Sequence, residues 1–135
     1  MNIRKLRSLV LGVLAAVVAV ACSPKDETEQ IREISAAYLK ALVDYRLDDA
    51  EKYGDGSTAQ FLLEQQALID SWTPERREEA RQNLADTQVT IVAVDINDSN
   101  ATVMYEFIQH GRVLQSERLY LQKSSEGWQV HESMQ

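Results

Sequence analysis

Residues 88–111 read QVTIVAVDINDSNATVMYEFIQHG, and this stretch decides the fold. Val89, Ile91 and Ala93 alternate with Thr90, Val92 and Val94. Past Asn97-Asp98-Ser99-Asn100 the alternation resumes, with Ala101, Val103, Tyr105 and Phe107 set against Thr102, Met104, Glu106 and Ile108. A period of two is that of a strand with one covered face, and a short polar break between two such runs predicts an antiparallel hairpin. His110-Gly111 then reads as a tight turn into a third strand, Val113 to Lys123. Ser124-Ser125-Glu126-Gly127 turns once more into Trp128, Val130 and Glu132, which alternate with Gln129 and His131. The reading is a four-stranded meander, with Trp128 expected inside it against the first helix.

Upstream of the strands the period is helical. Asp26, followed by Glu29, opens a helix in which Ile31, Ile34, Tyr38, Leu42 and Tyr45 recur on one face. Leu39, Val43 and Leu47 add a second stripe, so this helix is expected to be covered on more than one side. Asp48 to Tyr53 is a short helix, with Asp48 and Glu51 as caps and Gly54 expected to end it in a left-handed conformation. Thr58 is expected to cap the next helix, which carries Phe61, Leu62, Leu68, Ile69 and Trp72. Thr73-Pro74 restarts it as a highly charged surface helix from Glu75 to Asp86. Helices first and strands afterwards mean an α+β domain, with the N-terminal helices packed on one face of the antiparallel sheet.

Residues 1–21 have another character. Met1 to Arg7 is short and basic, and Leu9 to Ala21 is an apolar run broken only by Gly12. This is the layout of an export signal, and the run falls short of the roughly 20 residues of a spanning helix. It ends Ala19-Val20-Ala21-Cys22, and Cys22 is the sole cysteine. The four residues resemble the lipobox of bacterial lipoproteins. That resemblance implies diacylglycerol on the Cys22 sulfur, cleavage before Cys22 and an anchored mature chain. Ser23 in second place implies sorting to the periplasmic face of the outer membrane in a Gram-negative host. The organisation expected is therefore a lipoprotein signal peptide (1–21), a lipidated tether (22–26) and a single domain (27–135).

After position 21 there are 21 acidic and 11 basic residues, a formal charge of −10. So acidic a domain repels nucleic acid and anionic headgroups, which argues against nucleic acid as a partner. With one cysteine there is no intramolecular disulfide.

Leu47-Asp48-Asp49-Ala50-Glu51-Lys52-Tyr53 follows a long helix, and Gly127-Trp128-Gln129-Val130 follows the strand Glu117-Arg118-Leu119-Tyr120-Leu121. Together they resemble the second short helix and the last hairpin of nuclear-transport-factor-2-like domains, a pattern shared by small bacterial lipoproteins of unassigned function. The resemblance implies a cone-shaped fold with a curved sheet over helices. That superfamily holds isomerases, dehydratases, transport factors and binding or assembly modules, so fold does not fix function.

The chemistry-bearing residues make no complete constellation. Asp95 to Glu106 imitates the oxygen spacing of a calcium loop, but Asn100 stands where glycine is needed and the flanks read as strands. Asp48, Asp49, Glu51 and Asp55 read as caps and a solvated loop. His110 falls at a hairpin tip and His131 is expected to face outward. Tyr38, Tyr45 and Tyr105 are candidate hydroxyl donors, and Asp95 is the carboxylate in phase with the Val89-Ile91-Ala93 face. The expectation is a membrane-anchored, non-enzymatic binding or assembly module without metal or cofactor, meeting a protein partner or a second copy. The alternative is a pocket enzyme of the isomerase or dehydratase kind, taking a small-molecule ligand.

Overall fold

The computed structural model describes residues 26–132; the segment expected to be an export signal, Cys22 and most of the expected tether lie outside that range. Among the described residues four helices, α1 (Glu27–Val43), α2 (Leu47–Glu51), α3 (Gly56–Asp70) and α4 (Pro74–Asn83), precede four strands. The strands are β1 (Gln88–Asn97), β2 (Asn100–Gln109), β3 (Arg112–Ser124) and β4 (Gly127–Val130). They form one sheet in the order β1-β2-β3-β4, each pair antiparallel. The α+β meander expected from the sequence is the one observed. None of the helices described is long and apolar enough to cross a membrane.

Turn chemistry sets the register. His110 (φ 53°) and Gly111 (φ 78°) are both left-handed, as a two-residue hairpin turn with the twist of its strands requires. Asp26 caps α1, its side chain accepting the Thr28 amide at 2.9 Å. Pro74 sits in the first turn of α4, behind the Thr73 cap.

The core lies between α1 and the inner face of the sheet. Ile31, Tyr38 and Leu39 of α1 meet Ala101 and Val103 of β2, Leu119 and Leu121 of β3, and Trp128 and Val130 of β4. Trp128 is 5% exposed, and its Nε1 donates to Glu27 Oε2 at 3.2 Å on the first turn of α1. Lys123 pairs with the same carboxylate, so α1 is tied to the last hairpin at its N-terminus. By contrast, α4 buries no residue, in keeping with its charged sequence.

Three local expectations are corrected. Gly54 is not left-handed; a Cβ there would lie 2.3 Å from Thr58 Cγ2, so close approach is what demands glycine. The cap of α3 is Asp55, whose Oδ1 accepts the Thr58 amide at 3.1 Å, while Thr58 is buried inside the first turn. Asp48 does not cap α2, since Arg46 is the capping residue and makes no side-chain cap bond. The calcium-like spacing falls on the β1–β2 hairpin, where Asp95 stands opposite Thr102 and Glu106 opposite Thr90.

Candidate functional site

A bulge in β1 decides what each side of the sheet presents. Ile91 pairs with Tyr105 and Ala93 with Met104, which leaves Val92 as the extra residue. Upstream of Val92, the inward residues are Val89 and Ile91; downstream they are Val94 and Ile96, which pair with Val103 and Ala101. Ala93 and Asp95 are thereby turned to the outer side. The expectation that Asp95 shares a face with Val89 and Ile91 is overturned, because one inserted residue inverts the phase of everything after it.

None of the described helices covers the outer side, which is apolar at its centre. Val92 is 51% exposed, Met104 44% and Tyr120 45%. Together with Glu106, Ser116 and Arg118 they line an open depression of about 550 Å³. A second depression, of about 310 Å³, continues it past Ala93, Asp95 and Thr102. Arg118 lies opposite Met104, with Glu106 and Asp95 on the flanking rows. Large apolar side chains on three neighbouring strands, rimmed by both signs of charge, have the make-up of a contact surface.

The inner side holds a polar cluster. The Tyr38 hydroxyl of α1, wholly buried, donates to Glu132 Oε2 at 2.7 Å. Glu132 is placed by backbone: its N–H donates to Thr58 Oγ1 at 3.0 Å, and that hydroxyl donates to Val130 O at 2.6 Å. Burial and then the Glu132 charge push the Tyr38 phenol far above its ordinary range. Tyr105, directly opposite Glu117 on β3, is pushed up to about 12 by burial and by the charges of Glu117 and Glu132. Both phenols are therefore protonated donors at neutral pH. A phenol bonded to a positioned carboxylate is the raw material of acid–base chemistry, although Tyr38 has no exposed surface from which to reach a ligand. Glu132 is the carboxylate that sequence reasoning missed. It stands 94 residues from Tyr38, and its strand alternation with Trp128 and Val130 is the one signal that could have placed it inward.

The remaining candidates separate. His110 is exposed at the hairpin tip, as expected. His131 is not a free surface residue: Nδ1 lies 2.6 Å from Asp55 Oδ2, with both side chains less than a third exposed. Burial works to raise the Asp55 carboxyl, but the bonds with His131 and the Thr58 amide outweigh it and hold the group below its usual range. Asp49 accepts from both Arg46 and Lys52 and Asp55 pairs with His131, so these two carboxylates of the acidic cluster around α2 are engaged with separate partners rather than gathered on one point. Tyr45, left-handed at φ 58°, turns away from Tyr38 and Tyr105 to a separate pocket beside Trp72.

No protein-family model matches the chain, and no curated protein matches it. Among solved structures it is similar to a protein of Campylobacter jejuni provisionally named an NTF2-like transpeptidase, at 15% identity and a TM-score of 0.49. The match covers 76% of this chain and 97% of the other. A likeness of that degree carries neither activity nor site from one protein to the other.

Proposed function

We propose that this protein is a lipid-anchored envelope module that acts by binding, through the outer side of its sheet. The observation that carries the reading is the exposure of Val92, Met104 and Tyr120 on adjacent strands of a face that no described helix covers. Anchoring rests on Ala19-Val20-Ala21-Cys22 and the basic and apolar segments before it. Acyl chains stabilise membrane attachment by about 0.8 kcal/mol per buried CH₂, and two or more are needed to hold a protein firmly. On this reading the domain is a nuclear-transport-factor-2-like one on the periplasmic face of the outer membrane. A second copy suits the surface, because Arg118 shares a face with Asp95 and Glu106 and a two-fold pairing can set unlike charges opposite.

A pocket enzyme is the second reading, favoured by the Tyr38–Glu132 bond alone. Complementation of a deletion strain separates the two. Cys22→Ala should leave the membrane fraction, and intact mass of the wild type should show acylated Cys22; a mature form with a free thiol would sink the anchor. Met104→Glu should abolish function while folding and attachment stay normal, and Glu132→Gln should leave function intact. If Glu132→Gln alone abolishes function in a folded, anchored protein, the enzyme reading replaces the binding one.

A further inference from the structure

The corner where the end of α1 meets α3 and α4 holds a pocket of about 210 Å³ that shares no residue with the sheet face or the Tyr38 cluster. Its apolar part is Tyr45, Ile69 and Trp72, all half-buried. Its polar part is Gln66 and Asp70 from α3 and Arg77 and Arg81 from α4. The volume is below the roughly 300 Å³ at which drug-sized pockets begin, so the occupant is about one ring in size.

The aromatic groups are held ready. The Arg76 guanidinium sits 4.5 Å from the Trp72 ring centroid and covers one face, which fixes the indole. Tyr45 is fixed by its left-handed backbone, with its N–H donating to Leu42 O at 3.0 Å. The polar groups keep unused capacity. Gln66 donates to Asp70 Oδ1 at 2.9 Å, leaving the amide oxygen and a carboxylate oxygen open. Among the described residues Arg77 makes only long contacts, 3.5 Å from Nη1 to the carbonyls of Ile69 and Asp70, so most of its five donors meet no acceptor there. Arg81 engages Glu78 through one nitrogen at 2.6 Å.

From this arrangement we propose that the pocket binds a single acidic sugar unit. A pyranose has an apolar C–H face suited to an indole and a phenol, and hydroxyls suited to the planar amide and carboxylate of Gln66 and Asp70. A carboxylate on the ring matches the guanidinium fork of Arg77, with Arg81 beside it. Arg81 is held by Glu78, so Arg77, for which no carboxylate partner is found among the described residues, is the guanidinium left to meet an anion in this pocket. A charge-assisted bond to that guanidinium favours an anionic ligand over a neutral one.

The experiment titrates sodium glucuronate into the full mature chain and follows the two indole N–H resonances, with Trp72 assigned by Trp72→Phe. The Trp72 signal should move saturably while that of Trp128, buried in the core, stays fixed. Glucose, which lacks the carboxylate, should bind at least about tenfold more weakly, the scale of a lost charge-assisted bond. Arg77→Gln should reduce glucuronate to the level of glucose without altering the spectrum of the free protein, and Arg81→Gln should do so in part. Equal affinity for glucose and glucuronate would overturn the proposal in favour of a neutral saccharide site. Equal shifts with sodium acetate would reduce the pocket to an anion contact. A Trp72 signal unmoved by glucuronate would refute it outright.

Discussion

The two faces of the sheet are made from the same strands and obey different rules. On the inner face, Val103 and Leu121 are almost fully buried, and the polar groups among them have partners: Tyr38 has Glu132, and Thr58 has Val130 O and the Glu132 amide. Ser35 Oγ is the exception among the described residues, buried without a hydrogen bond. On the outer face, Met104 and Tyr120 sit one residue along from those core positions and stay about half exposed. Alternation alone thus separates residues that hold the fold from residues free to serve something else. The difference is measurable, because substitutions on one face should register in stability and those on the other should not.

Trp128→Ala should do the most damage. It removes a 5%-exposed indole and its bond to Glu27, and large aromatic truncations in cores cost about 3–5 kcal/mol. Chemical denaturation measures this, and a loss under about 1 kcal/mol would place Trp128 outside the core. Asp55→Ala should come next, at about 0.5–2 kcal/mol, the range for losing an N-cap. The Asp55 carboxyl is held below its ordinary value, so its contribution is complete above the unfolded-state pKa and is lost as pH falls through the lower folded one. The gap between wild type and Asp55→Ala should therefore narrow in acid; a gap that widened there would contradict the sign of the shift. Met104→Gln should have the least effect on stability, within about 0.5 kcal/mol, since the side chain is 44% exposed. A larger loss would mean that the outer face contributes to the monomer's own packing.

Much of this contrast was legible in the sequence, because alternation and helical spacing are local. The meander, the order of helices and strands, the His110-Gly111 turn and the burial of Trp128 all follow from residues close together in the chain. What escaped was not local. A bulge leaves composition untouched, so nothing in QVTIVAVDIN marks Val92 as the extra residue, and simple alternation puts Asp95 on the wrong face. Thr58 is as good a capping residue as Asp55; only the buried bond from its hydroxyl to Val130 O, 72 residues away, decides between them. The Tyr38–Glu132 and Asp55–His131 contacts join residues 94 and 76 positions apart. The outer face could be anticipated as apolar in part, but its continuity depends on the register of three strands.

The residues from Val130 to Glu132 are clasped into the loop between α2 and α3. Val130 N donates to Tyr53 O at 2.8 Å, Val130 O accepts the Asp55 amide at 3.0 Å, and His131 and Glu132 reach back to Asp55, Thr58 and Tyr38. Glu27 likewise waits for Trp128, 101 residues later. A nascent chain that stops short of Trp128 has made none of these closures, whatever helices it has formed. Closing such long loops comes late, because their entropy must be overcome before the contacts can form. The fold therefore completes only after residues 128–132 have been delivered, and until then the helices lack the hairpin and the clasp that close the domain.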